Sequence, residues 1–504
     1  MSETVQGAPP PPPVAVPRLS SVVVPCRRTA QGWEVFWVKR DKALRFAGGF
    51  YAFPGGKLDA QDADVPVHGA SGQDAALRAA AARELLEEAG VLAAEGAERL
   101  TPDAVATLRR EVLEGRVSWR AGLERHGLSL RSGDLLEAGR WVTPEFAPVR
   151  FDTFFYFLEV GPHARTEWWP GELSEAAWVT PAEALARWEA GTALLHPPAL
   201  HVLRVLARAG SPERTAAALR TPEHCPDFIA QRIEYQRGVR VFPLRTATLP
   251  PATHTNAYVL GEEELLIVDP GSGDEEELAR LLALVEGLVA EGVRVKAVVL
   301  THHHGDHTAG VRAVTERLGV PLWCHARTAD RVAVPTARLL VDGEVLELAG
   351  TPPQRWRVLY TPGHAQGHVC LVDERTRAAV VGDMVAGVGT IVIDPPEGDM
   401  AEYLRQLARL RDWPVTTLYA AHGMAIPDGP GKLQEYLDHR AAREARILAA
   451  LPSEGVTLTE LVARAYVETP PFLLPVAERS ALAVLLKLQG EGRVREASGR
   501  YFPG

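Results

Sequence analysis

Cysteine is scarce in this chain: Cys26, Cys225, Cys324 and Cys370 stand far apart with no CxxC spacing, which argues against a disulfide framework and for free thiols in a reducing compartment. Long apolar runs are missing too. No stretch of about 18 apolar residues occurs, and the start lacks a basic region followed by an apolar run, so a cytoplasmic protein is expected. Positive charge is in deficit, with 54 Lys plus Arg against 64 Asp plus Glu and a net charge of -10. That excludes a chain coated with phosphate-binding basic residues and restricts any nucleic-acid role to a local groove. What remains, 46% hydrophobic and 23% charged residues, is the composition of a soluble globular protein. At 504 residues it is too long for one ordinary core, and two to four domains are expected.

Residues 1–17 are proline-rich and read as a disordered or polyproline tail. From Arg18 the composition turns to strand-like runs, LSSVVVP and WEVFWVKR, then YAFPGGKLDAQD. The Ala/Leu/Glu/Arg stretch DAALRAAAARELLEEAG follows, with Gly90 placed as a helix stop. Further strands (RFDTFFYFLEV, SEAAWVT) and helices (PAEALARWEAG, ALHVLRVLARAG) complete an α/β unit over 18–230. Alternating strand and helix resumes over 236–430, beginning VRVFPLR, TNAYVLG, ELLIVDPG. Residues 431–504 offer three helices and a hairpin, RVREASGRYF, the order of a small winged-helix module. There is no tandem repeat.

Strand RVKAVVL leads into THHHGDH, residues 301–307. Alternate side chains of an extended segment share a side, so His302 and His304 face one ion together while His303 points elsewhere. Asp306 and His307 reach a second ion. Three later apolar runs each stop at a His or Asp beside Gly: VLYTPGHAQGH supplies His364, AAVVGDMV supplies Asp383 and TLYAAHG supplies His422. Imidazole nitrogen and carboxylate oxygen suit catalytic zinc. Structural zinc sites usually close with four ligands, often cysteines, so seven nitrogen and oxygen candidates favour a two-metal site. His303, His368 and His254 lack a ligand slot and are expected in structural or supporting roles.

These residues resemble the metallo-β-lactamase superfamily. The resemblance implies an αββα sandwich with two zinc ions: His302, His304 and His364 on one, Asp306, His307 and His422 on the other, and Asp383 as the bridge. It makes Asp269, in IVDPG, a support, with Asn256 near the pocket. Two cations lower the pKa of a bound water and stabilise the oxyanion formed on attack, so the implied chemistry is hydrolysis, with Asp306 a candidate catalytic carboxylate. Asp383 stands where many zinc β-lactamases of this superfamily carry cysteine, which disfavours lactam cleavage. Glyoxalase II and related thioesterases share almost all these ligands. The continuation GVGTIVI, MAEYLRQL and KLQEYLDHRAAREARILAAL is similar to the lactamase-beta-2-like branch, whose relatives cleave single-stranded RNA.

Upstream, RELLEEAG puts Glu84, Glu87 and Glu88 on one helical face. Three like charges there repel unless cations lie between them, and hard oxygen donors favour Mg²⁺ or Mn²⁺. A solvated acidic face is the plain alternative. With FPGG before it, the segment resembles a Nudix hydrolase and its α/β/α sandwich. That likeness implies metal-binding glutamates, Glu84 and Glu88 as catalytic carboxylates, Arg83 as their orienting partner, and cleavage of a nucleoside diphosphate conjugate. It leans toward the branch that includes coenzyme A diphosphatases. Two departures stand out: Asp62 replaces the first glutamate of the box, and an insertion, DADVPVHGASGQDAAL, separates it from Arg83. His224 beside Cys225 reads as a linker rather than a nucleophile pair.

The expectation is thus a multidomain α/β chain with two metal-dependent hydrolase sites and a winged-helix-like end. The first expected substrate of the zinc site is single-stranded RNA, and the alternative is a thioester, with the Nudix half as a nucleotide-sensing regulatory module. Residues 431–504 hold ten Lys plus Arg against nine Asp plus Glu. That balance permits a phosphate-tracking surface lined by Arg440, Arg443 or Arg446, or equally a module that packs over the active site or joins two copies into a homo-oligomer.

Overall fold

The structure, a computed structural model, describes residues 14–44, 47–147, 149–161, 166–168, 171–220 and 233–504. His224 and Cys225 lie outside the described residues. The chain divides into two compact units between Arg237 and Gly238. Among the described residues no helix is long and apolar enough to cross a membrane, and Cys26, Cys324 and Cys370 are free and buried.

The first unit is built on a sheet in the order Tyr51–Ala52, Gly32–Arg40, Arg18–Thr29, Phe151–Glu159, Leu136–Val142. Strand alternation sends neighbouring side chains to opposite faces. Val23, Phe36 and Tyr156 pack beneath Ala81, Leu85 and Ala89 of the Gly72–Ala89 helix. Val24, Val35, Trp37, Phe155 and Phe157 pack against Leu200, Leu203 and Leu206 of the Pro197–Ala209 helix. This is an α/β/α sandwich. The Gly72–Ala89 helix is rich in alanine because it is buried on a second side as well, where Ala79, Ala82 and Leu86 meet Leu108, Val112 and Trp119. Among the described residues, the stripe carrying its glutamates meets no apolar cluster. Gly90, at φ 67°, closes it with its N–H on the Leu86 carbonyl.

The second unit holds two sheets. In the first, Val239–Arg245, His254–Gly261 and Glu264–Val268 run antiparallel, and Arg294–Val299, Leu322–His325 and Thr336–Leu340 continue in parallel. The helices Glu275–Ala290 and Val311–Leu318 cover it through Leu281, Val285, Leu288 and Val314. The second sheet orders Val345–Leu348, Gln354–Tyr360, Val369–Asp373, Ala379–Gly382 and Leu418–Ala420. It packs on the Met400–Asp412 helix through Tyr403, Leu407 and Leu410. The sheets are tied where their strands end: Val369 N–H donates to the Thr301 carbonyl at 2.9 Å and Asn256 N–H to Ala421 at 2.7 Å.

The C-terminal helices Gly429–Ala449, Leu458–Ala465 and Leu474–Gly490, with the hairpin Val494–Ala497 and Arg500–Pro503, share one continuous core with that second sheet. Leu433, Ile447, Leu461 and Leu485 belong to the same cluster as Leu359, Val381 and Leu418.

Candidate metal centre

Each of the seven candidate ligands in the second unit follows the end of a strand. His302, His304, Asp306 and His307 follow Arg294–Val299, His364 follows Gln354–Tyr360, Asp383 follows Ala379–Gly382, and His422 follows Leu418–Ala420. Strand ends are where backbone leaves the ladder and side chains of separate strands can converge.

They do converge. The His304 Nδ1 lies 3.0 Å from the Nε2 of His302 and 3.0 Å from the Nε2 of His364. Nitrogens bound to one tetrahedral zinc at about 2.0–2.1 Å would stand roughly 3.3 Å apart. Donor atoms of Asp306, His307 and His422 form a second group within 4.8 Å of one another. Asp383 faces both groups: its Oδ2 is 3.4 Å from His364 Nε2, and its Oδ1 is 3.6 Å from His307 Nε2 and 3.5 Å from His422 Nε2. His307 Nε2 and Asp383 Oδ1 are buried with no hydrogen-bond partner. Leaving buried polar atoms unpaired costs about 1–3 kcal/mol each, and a shared cation removes that cost. The donor set therefore fits divalent metal in kind, spacing and unmet bonding.

Three of the rings are aimed from behind. His307 Nδ1 is 2.8 Å from Asp269 Oδ2, His364 Nδ1 is 2.8 Å from the Val392 carbonyl, and His422 Nδ1 is 3.0 Å from the His254 carbonyl. Asp269 also accepts the N–H and hydroxyl of Thr301, at 2.8 and 2.6 Å, which fixes the root of the histidine loop. Asp269 holds this place at φ 50°, a conformation non-glycine residues rarely adopt. Two residues on, a Cβ at Gly271 would lie 1.7 Å from the Asp306 carbonyl oxygen, so only glycine lets the two loops approach.

Electrostatics follow from this crowding. Burial, then neighbouring imidazoles, push His302 well below its ordinary range and His304 down to about 2. Burial lowers His364 as well. These shifts favour the neutral rings, in which one nitrogen keeps a lone pair for a cation. Burial alone would lower His307, but Asp269, Asp306 and Asp383 outweigh it and raise it well above its ordinary value. Burial would raise Asp383, yet His422, His307 and His364 hold it well below the usual carboxylate range. A proton on His307 Nε2 and a cation at that same atom are alternatives.

The supporting residues distribute as follows. The Asn256 amide donates to the carbonyls of Ala420 and Gly423 at 2.9 and 2.8 Å, bracketing His422. His368 Nε2 receives the Asp383 N–H at 3.1 Å. His303 points to Glu397, 3.2 Å away. The three arginines considered for a phosphate-tracking surface are placed differently. Arg440 is buried and donates to the Ile391 carbonyl, Arg443 lies over the Tyr466 ring and donates to Ala465, and Arg446 pairs with Glu468. Sequence reasoning missed Val392, Tyr403 and Tyr436. A backbone acceptor has no side-chain signature, and buried tyrosines read as ordinary core.

In the first unit the carboxylates gather around Arg83. Its Nε and Nη2 reach both oxygens of Asp62 at 2.8 and 2.9 Å, and Nη1 reaches Glu84 at 2.9 Å and Glu87 at 3.1 Å. Asp62 is fully buried and also caps its own turn by accepting the Asp59 N–H. It is engaged by the arginine rather than presented to an ion. Glu88 accepts the Gly55 N–H at 2.9 Å, and a Cβ at Gly56 would strike the Glu84 carboxylate at 2.4 Å. That close approach is what the FPGG segment allows. Burial raises Glu84 to about 7, and burial followed by Glu84 raises Glu88 to about 8. The oxygen donors fit a hard cation in kind. Among the described residues, however, no three donors of this unit close to within 4.8 Å.

Residues 250–422 match the family described as the metallo-beta-lactamase superfamily, and residues 457–500 match the beta-lactamase associated winged helix domain. The lactamase-like protein adaB of Aspergillus niger is 33% identical over 210 residues, and the match spans 41% of this chain and 61% of that protein's length. An atrochrysone carboxyl ACP thioesterase of Passalora fulva is 34% identical over 258 residues, 48% of this chain and 72% of that protein. Among solved structures, a NUDIX hydrolase from Alicyclobacillus acidocaldarius is 31% identical over 40% of this chain and 96% of its own, with a TM-score of 0.35.

Proposed function

This chain belongs to the metallo-β-lactamase superfamily, and from that premise we propose that its second unit is a metal-dependent hydrolase of a thioester or ester. In this reading His302, His304 and His364 would hold one zinc ion, Asp306, His307 and His422 would hold a second, and Asp383 would be available to both. The observation that carries it is Asp383, whose two oxygens face separate imidazole sets at 3.4 to 3.6 Å while Oδ1 has no hydrogen-bond partner. Bound cations supply an activated water near neutral pH and stabilise negative charge as it develops on the substrate. The protein's part is to favour the neutral forms of His302, His304 and His364 and the anionic form of Asp383, and to hold the donors still. Asp269 and Thr301 fix the histidine loop, and the Val392 and His254 carbonyls fix the tautomers of His364 and His422. Asp306, whose Oδ2 is 3.7 Å from His422 Nε2, would hold the second ion through one carboxylate oxygen and offer the other as the acceptor for a water proton.

Thioester or ester is preferred to RNA because Arg440 and Arg443 are committed to internal carbonyls and because the Passalora fulva relative is named an ACP thioesterase. For the first unit we propose Nudix hydrolysis of a nucleoside diphosphate conjugate. Glu84, Glu87 and Glu88 would hold Mg²⁺ or Mn²⁺, with Arg83 orienting the first two. The test is a substrate panel of acyl thioesters, esters, single-stranded RNA and nucleoside diphosphate conjugates, run on the full chain and on Asp383→Ala and Glu88→Gln separately. Thioester cleavage lost only in Asp383→Ala and conjugate cleavage lost only in Glu88→Gln support both assignments. RNA cleavage lost in Asp383→Ala, without thioester cleavage in the parent, would replace the substrate class.

A further inference from the structure

The segment between Asp383 and the Met400–Asp412 helix has no regular secondary structure, yet it carries a bridging carboxylate at one end and, at Val392, the carbonyl that aims His364. Loops without ladder bonds keep their shape through side chains reaching in from elsewhere. Here three buried side chains do so. The Tyr403 hydroxyl donates to the Met384 carbonyl at 2.7 Å. The Tyr436 hydroxyl receives the Ala386 N–H at 2.9 Å. Arg440, one turn after Tyr436 on the Gly429–Ala449 helix, donates from Nη2 to the Ile391 carbonyl, the peptide group directly before Val392.

Arg440 is an unusual residue to place there. It is 7% exposed, its Nε has no hydrogen-bond partner, and it forms no ion pair with any described carboxylate. The guanidinium centre lies 5.4 Å from the Tyr403 ring centroid, a cation–π contact. Burying an ion without a counter-charge costs several kcal/mol, more than one neutral acceptor and one ring return. A core of this composition would be more stable with an apolar residue at 440, so the position is explained by what the arginine holds rather than by stability.

We propose that Arg440 is a positioning residue of the metal loop: by gripping the Ile391 carbonyl it fixes the Val392 carbonyl that aims His364. This rests on the ligand assignment made above. The C-terminal helical segment thereby becomes part of the metal centre without touching substrate. Supports of this kind typically set metal affinity by 10- to 100-fold.

The test is a Co²⁺ titration of the full metal-free chain, read by visible absorption and chelator competition, with thermal unfolding of the metal-free protein alongside. Arg440→Met should weaken one of the two ions by about 10- to 100-fold and alter its spectrum, leave the other ion as in the parent, and not lower the unfolding temperature. Arg440→Lys keeps the charge without the planar fork and should recover part of the affinity. Arg446→Met removes only the pair with Glu468 and should change neither ion. Parental Co²⁺ affinity and spectrum in Arg440→Met would overturn the proposal. If Arg440→Met is not recovered folded, parental values in Arg440→Lys do the same. A parent chain that binds two ions but cleaves no thioester overturns the substrate reading while this inference is still decided on affinity; one that binds none overturns both.

Discussion

The two ligand-rich clusters of this chain solve the same problem in opposite ways. In the second unit seven donors come from the ends of four strands, and behind the rings stand acceptors on other segments: Asp269, the Val392 carbonyl and the His254 carbonyl. In the first unit three glutamates come from a single helix, and Arg83 fills part of the space between them. The first arrangement draws its donors from separate strands onto common points. The second is held together by an internal cation and must exchange some of those contacts for an ion. Preorganised donors bind tightly because little has to be reordered. Donors already paired with a guanidinium bind less tightly and respond more to pH.

Removing the shared oxygen donor should break the comparison most completely. Asp383→Ala should cut hydrolysis in the second unit by at least about 10³-fold, the scale of losing a principal charge-stabilising group, while conjugate hydrolysis by the first unit stays at the parental rate. Next in size is Asp269→Asn, which keeps the shape but removes the charge on His307. Zinc affinity measured by chelator competition should fall about 10- to 100-fold. Unchanged affinity would mean that the ring is aimed by packing alone.

The pH response sharpens the contrast from the other side. Glu84 and Glu88 rise from an ordinary 4.5 to about 7 and about 8, so between those values the folded chain holds protons that the unfolded chain has released. Stability of the metal-free first unit therefore falls as pH rises through this window. Glu88→Gln mimics the protonated form. Metal-free Glu88→Gln should unfold later than the parent at pH 8 by on the order of 1 kcal/mol, about 2–4 °C for a unit of this size, and equally at pH 4. Calorimetry at the two pH values checks this, and Mn²⁺ should stabilise the parent at pH 8 but not the variant. The smallest effect is expected from Arg446→Met, within about 0.5 kcal/mol in stability and without effect on any hydrolysis. A selective loss of RNA cleavage there would restore the basic-groove reading.

Much of this was legible before folding. Strand alternation across THHHGDH pairs His302 with His304, whose ring nitrogens lie 3.0 Å apart in the structure, but His303 does not leave the cluster: it meets Glu397 at 3.2 Å and shares a donor group with His304 and Glu397. Alternating apolar residues at 22–24, 35–38 and 154–158 carry both faces of the first sheet. What was not legible depends on distant partners. Arg440 lies in a charged stretch whose default is solvent, and only Tyr403 and the Ile391 carbonyl, far off in sequence, draw it inward. Asp62 gives no sign in the sequence that Arg83, 21 residues on, takes both its oxygens. The aim of His364 rests on a main-chain carbonyl, which any residue at 392 supplies.

Anomalous diffraction at the zinc edge from crystals of the zinc-loaded chain tests the central claim most directly. Two peaks in the second unit are expected, one within bonding distance of His302, His304 and His364, the other of Asp306, His307 and His422, with Asp383 touching both. A single peak closed by four protein ligands, or zinc bound away from Asp383, would contradict it.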